Sequence, residues 1–122
     1  MGRDWMEVKE GDICWIAPDG SRQIASDYTH PHVVIQIAAP HTVVVCALTS
    51  NLHRAKEPGN VLLDEGEANL PKQSVVLVSR TLKVDAAQLG GTIGTLTEGR
   101  IAQILAGIRF LQFMTQHHKE GT

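Results

Sequence analysis

The chain has 122 residues, 43% hydrophobic and 20% charged, with a formal net charge of −2. That suits a single globular domain over 1–122 with one core; it excludes a polycation, so any nucleic-acid site must be a local basic patch. No apolar run reaches the ~18 residues of a membrane span, and the charged start "MGRDWMEVKEGD" has no signal core.

Two cysteines, Cys14 and Cys46, lie inside the apolar runs "DICWIA" and "TVVVCALT". Two such residues behave as small hydrophobes and make no disulfide framework. The setting implied is reducing and cytoplasmic.

In chain order, β-branched runs recur between short breaks. "DICWIA" (12–17), "HVVIQIA" (32–38), "TVVVCALT" (42–49), "NVLLD" (60–64) and "SVVLVSR" (74–80) read as strands, separated by "APDGS", "AAPH", "KEPGN" and "DEGEANLPK". Their close spacing is that of a small barrel or sandwich. The runs at 33–37 and 43–48 are almost wholly apolar, which predicts central strands buried on both faces. No linker, repeat or low-complexity tract interrupts them.

The last third changes period. Asp85 can cap a short turn over 86–89, which Gly90 and Gly91 would stop. Ile101, Ile104, Leu105, Ile108 and Leu111 then lie on one helical face. Thr97 is its N-cap, and Leu96 and Ile101 can form a hydrophobic staple. Phe110, Phe113 and Met114 widen the apolar surface, as a subunit interface would. The end, 113–122, reads as a frayed tail, since "HHKEGT" has no apolar anchor. The fold class is therefore mainly β, a small curved barrel of about five to seven strands with a C-terminal α-helix.

Taken together, "GDICWIA", "HPHVVIQ", "CALTSNL", "GNVLLD", "QSVVLV" and "TLKVD", in that order and followed by a helix, resemble the MazF/PemK/Kid family of bacterial toxins. The resemblance runs from about Gly11 to Leu111. It implies an SH3-like barrel of the CcdB/PemK type and a homodimer. It also implies a growth-inhibiting mRNA interferase that cuts single-stranded RNA without metal or cofactor. The products would be 2′,3′-cyclic phosphate and 5′-hydroxyl ends. An antitoxin protein, with which such toxins also bind DNA, would neutralise it.

Metal-free RNA cleavage needs a base for the 2′-OH proton, an acid for the leaving 5′-oxygen, and donors to the phosphate. By resemblance, Thr49 and Ser50 hold the family's catalytic hydroxyl position, and His30 stands where relatives carry an arginine. An imidazole, with an unperturbed pKa of ~6.5, serves as acid or base at neutral pH, but lacks the bidentate fork of a guanidinium. The alternative for His30 is a histidine at the mouth of a strand, bonded to backbone. For Thr49 and Ser50 it is a pair that bonds the following turn.

His32 follows two residues on, but a pair of histidines is too few for a zinc site, and no metal is expected. The RNA contacts expected are Arg22 and Tyr28 in the first loop, His32 at the site edge, His53, Arg54 and Lys56 in the third, and Arg80. Lys72 can assist. Ser79 falls where some relatives carry an acidic residue, and Trp5 and Trp15 read as core or interface. The rival function is a non-enzymatic member of the same family, either decayed and partner-binding or a gyrase poison. The chain lacks the terminal Trp-Gly-Ile typical of gyrase poisons.

Overall fold

The computed structural model describes residues 7–16 and 31–120, with backbone alone for 117–120. Among the described residues, six strands precede one long helix. They are β1 (Asp12–Ile16), β2 (His32–Ala39), β3 (Thr42–Thr49), β4 (Val61–Leu62), β5 (Val75–Asp85) and β6 (Leu89–Thr95); the helix is α1 (Glu98–Glu120). The strands pair antiparallel in the order β4-β5-β3-β2-β1-β6. This is the mainly β, barrel-like architecture expected from the sequence. Among the described residues, no helix is long and apolar enough to cross a membrane.

The five expected strands are present, the one expected over 60–64 only as Val61–Leu62, with three further differences. β5 runs on to Asp85 and absorbs "TLKVD", because its second half pairs along β3 from Cys46–Thr81 to Thr42–Asp85. β6, "LGGTIGT", is a strand that glycine content concealed. It forms because β1 offers an edge to pair with, from Ile16–Leu89 to Asp12–Thr95, and tertiary pairing outweighs weak local propensity. β2 is central, yet only its first half is buried; Gln36–Ala39 is exposed.

Two apolar clusters form. One joins Ile13, Val33, Cys46, Leu48, Val61, Leu63, Val76 and Val78 to Leu96, just before the helix, and to Ile101 and Ile104 within it. The other gathers Val8, Cys14, Ile16, Val34, Val43, Val45, Val84, Ala86 and Leu89. β3 feeds both by alternation, and β5 reaches both because its register shifts: Cys46 pairs with Thr81 but Leu48 with Val76.

The expected caps are seen. Asp85 accepts from the Ala87 amide at 2.8 Å, and Gln88 Oε1 accepts from the Asp85 amide at 3.0 Å, closing a capping box. Thr97 Oγ1 accepts from the Arg100 amide at 3.2 Å. α1 continues to Glu120, through the stretch expected to fray, and exposes Phe110, Phe113 and Met114.

Candidate functional site

Antiparallel pairing gathers one set of strand ends. β1 and β3 run toward this end of the sheet, and β2 and β5 start from it. His32 pairs with both Cys14 and Ala47, the Leu48 amide donates to the Pro31 carbonyl at 2.9 Å, and Thr49 pairs with Val75. Residues far apart in sequence thereby line one cavity of about 230 Å³: Trp15, Pro31, Ser50, Leu70, Pro71, Lys72 and Ser74. That is smaller than the ~300–1,000 Å³ of pockets that enclose a drug-sized ligand, so it has room for one base or one phosphate group.

The cavity has an apolar side and a polar rim. Trp15, expected in the core or at an interface, is half-buried and lines the cavity. Ser74, buried, donates through Oγ to the Lys72 carbonyl at 2.9 Å. That bond shapes the turn that presents the exposed Lys72. Lys72 supplies a cation and Ser50 a hydroxyl, the donors a phosphate needs.

Of the residues expected to be catalytic, Ser50 lines the cavity. Thr49 lies beside it in sequence, half-buried. Its Oγ1 accepts from the Asn51 amide at 3.2 Å, so the turn-bonding role is present, and the hydroxyl proton remains to be donated. His30 lies outside the described residues, as do Arg22, Tyr28 and Trp5. In sequence His30 directly precedes Pro31, a lining residue. His32 is half-buried in β2 between its partners on β1 and β3.

The other basic residues form a separate group that does not line this cavity. His53, Arg54 and Lys56 lie on a 3-10 turn, Leu52–Lys56, capped by Asn51 Oδ1, which accepts from the His53 amide at 3.2 Å. Arg54 Nε donates to Glu57. That bond holds the Glu57 carboxyl below the usual carboxylate range, with a smaller contribution from the positive charge of Arg80. Asn60 ties this turn to β5: Nδ2 donates to the Arg54 carbonyl at 2.9 Å and to Glu57 Oε1 at 3.2 Å, and Oδ1 accepts from the Val78 amide at 3.0 Å. His53, Lys56 and Arg80 are exposed, so the group presents positive charge to solvent, partly offset by Glu57. Among the described residues, no three His, Cys, Asp or Glu side chains converge as a metal site requires.

The contributions of Trp15 and Ser74 were not legible in the sequence, and that of Lys72 only as an accessory. The one available signal was position: each stands at the end of a strand or just before one begins.

The fold and the site together define a small barrel-like β protein, packed with one helix, with a polar-rimmed cavity at one end of its sheet. The chain belongs to the family of PemK-like, MazF-like toxins of type II toxin–antitoxin systems, whose profile matches residues 9–111. Curated relatives include Endoribonuclease MazF6 of Mycobacterium tuberculosis and Endoribonuclease MazF2 of Mycobacterium bovis. Each is 29% identical over 112 residues, covering 85% of this chain and 96% of the relative. Two solved structures share the fold. The Mycobacterium tuberculosis toxin MazF-mt6 has a TM-score of 0.61 at 20% identity, covering 80% of this chain and 91% of that one. A mycobacterial endoribonuclease in complex with its cognate antitoxin has a TM-score of 0.61 at 16% identity, covering 81% and 88%.

Proposed function

We propose that this toxin is an endoribonuclease that cuts single-stranded mRNA without metal, and that the strand-end cavity seats the nucleotide at the cut. The convergence of Ser50 and Lys72 on a cavity lined by Pro31, next in sequence to His30, supports this most directly. A nucleotide carries an aromatic base and a charged phosphate. The cavity offers Trp15 for the first and Lys72 with Ser50 for the second.

His30 serves as proton carrier. It takes the 2′-OH proton as that oxygen attacks the adjacent phosphorus, and the P–O5′ bond breaks with a proton delivered to the departing oxygen. The products are a 2′,3′-cyclic phosphate and a 5′-hydroxyl. Thr49 and Ser50 donate hydrogen bonds to the phosphate oxygens as charge builds on them. His32 stands at the site edge. His53, Arg54, Lys56 and Arg80 steer the strand by charge, and Arg22 and Tyr28 contact it from the first loop. The exposed Phe110, Phe113 and Met114 of α1 support a homodimer, and the cellular setting is the cytoplasm, where an antitoxin protein restrains the enzyme.

The test is purified protein on labelled single-stranded RNA in EDTA. Fragments should accept label at the 5′ end from a kinase without prior phosphatase treatment, and His30→Ala should slow cutting by ~10²–10⁴-fold. Wild-type rates in His30→Ala would remove His30 from the mechanism. Intact RNA, or cleavage that requires magnesium, would refute the proposed chemistry.

A further inference from the structure

Arg100 stands in the first turn of α1, where the helix dipole disfavours a cation. Its side chain is nonetheless held there. Nε donates to Glu67 Oε2 at 2.8 Å and Nη2 to Glu67 Oε1 at 2.9 Å, a bidentate pair; Nη2 also lies 3.5 Å from Asp64 Oδ2, and Nη1 donates to Gln103 Oε1 at 2.9 Å. The pair is mostly shielded from solvent, and the Arg100 hydrogen bonds hold the Glu67 carboxyl below its usual range. The cavity does not include this ion pair.

What Arg100 grips is the loop that walls the cavity. Glu67 is followed by Ala68 and Asn69, both non-glycine residues in the left-handed region, with φ of 52° and 62°. Leu70, Pro71 and Lys72 come next, and all three line the cavity. The two left-handed residues are kept in place from both sides. Arg100 holds Glu67, while Asn69 Nδ2 donates to the Ile93 carbonyl at 3.2 Å and the Ala68 backbone lies against Gly94.

We propose that Arg100 is a positioning residue. By clamping Glu67, it holds the strained 67–69 turn and so places the Leu70–Lys72 wall against the nucleotide. This rests on the RNA-cleaving function proposed above. The wall carries a phosphate contact and apolar surface, but none of the residues assigned to proton transfer. Loosening it therefore weakens binding of substrate and transition state alike, which appears in KM and not in kcat.

The experiment is steady-state cleavage of a labelled oligoribonucleotide by wild type, Arg100→Ala and Arg100→Lys, with the folded fraction of each measured by circular dichroism. Arg100→Ala is expected to raise KM about tenfold with kcat within about twofold of wild type. Arg100→Lys, which keeps the charge but not the fork, should restore part of the loss. An unchanged KM in an active Arg100→Ala protein overturns the positioning role and leaves the endoribonuclease function standing. Loss that merely tracks the folded fraction, without rescue by lysine, also overturns it. A wild-type protein that leaves RNA intact removes both.

Discussion

Replacing Asn60 by alanine tests whether one amide side chain fastens the basic turn to the sheet. Asn60 serves three partners: it accepts from the Val78 amide at 3.0 Å and donates to the Arg54 carbonyl at 2.9 Å and to Glu57 at 3.2 Å. Val78 is 3% exposed, so its amide is largely screened from replacement water. Orphaning a buried amide costs ~1–3 kcal/mol, and losing a partly exposed bond to the Arg54 carbonyl adds ~0.5–1.5 kcal/mol. The Glu57 contact, at an exposed carboxylate, adds little. Asn60→Ala should therefore lose ~1.5–4.5 kcal/mol, a large share of the ~5–15 kcal/mol that holds a domain folded.

Asn60→Asp separates the contributions. It keeps the acceptor for Val78, gives up both donors and sets a second carboxylate beside Glu57. Its loss should be smaller, ~1–2 kcal/mol. Urea unfolding at pH 7, with unchanged m-values, measures both. An alanine variant within ~0.5 kcal/mol of wild type, or an aspartate variant less stable than alanine, would show that the Val78 bond is not the principal attachment.

Three further outcomes can be checked. Gly94→Ala should cost ~1–3 kcal/mol in a urea titration, because its Cβ would overlap the Ala68 carbonyl oxygen and force the loop to shift; wild-type stability would place that loop elsewhere. Burial pushes the Cys46 thiol up to about 12, and its Sγ donates to the Leu77 carbonyl at 3.0 Å, so iodoacetamide at pH 8 should modify it only in denaturant; labelling of the native protein would contradict its burial. Glu67 titrates below its unfolded value because of Arg100, so its contribution is complete above that unfolded value, ~4.3, and fades as pH falls through the lower, folded one. Urea midpoints from pH 6 to pH 3 should therefore fall more steeply in wild type than in Glu67→Gln, and parallel slopes would refute the clamp.

Much of the site's frame was legible before any coordinates. "HPHVVIQ" and "CALTSNL" marked the start of one strand and the end of another, and antiparallel pairing of neighbouring strands places those points together. Ser50 itself is singled out by the resemblance, which gives it the family's hydroxyl position, and not by strand pairing. Thr49 was found too, together with the turn bond to Asn51 that its residue type favours. The two groups of basic residues looked alike in sequence. Only their three-dimensional neighbours separate Lys72, at the cavity, from Arg54, paired with Glu57.

The division follows the range of the forces involved. Strand runs, the apolar face of α1 and the caps at Asp85 and Thr97 depend on residues within a few positions of one another, so side-chain type and spacing were enough. β6 did not announce itself, because "LGGTIGT" is a strand only once β1 lies beside it. Lys72, Trp15, Asn60 and Arg100 owe their places to partners or cavity neighbours mostly well separated in the chain. What each does is decided by the pairing of the strands and the docking of α1.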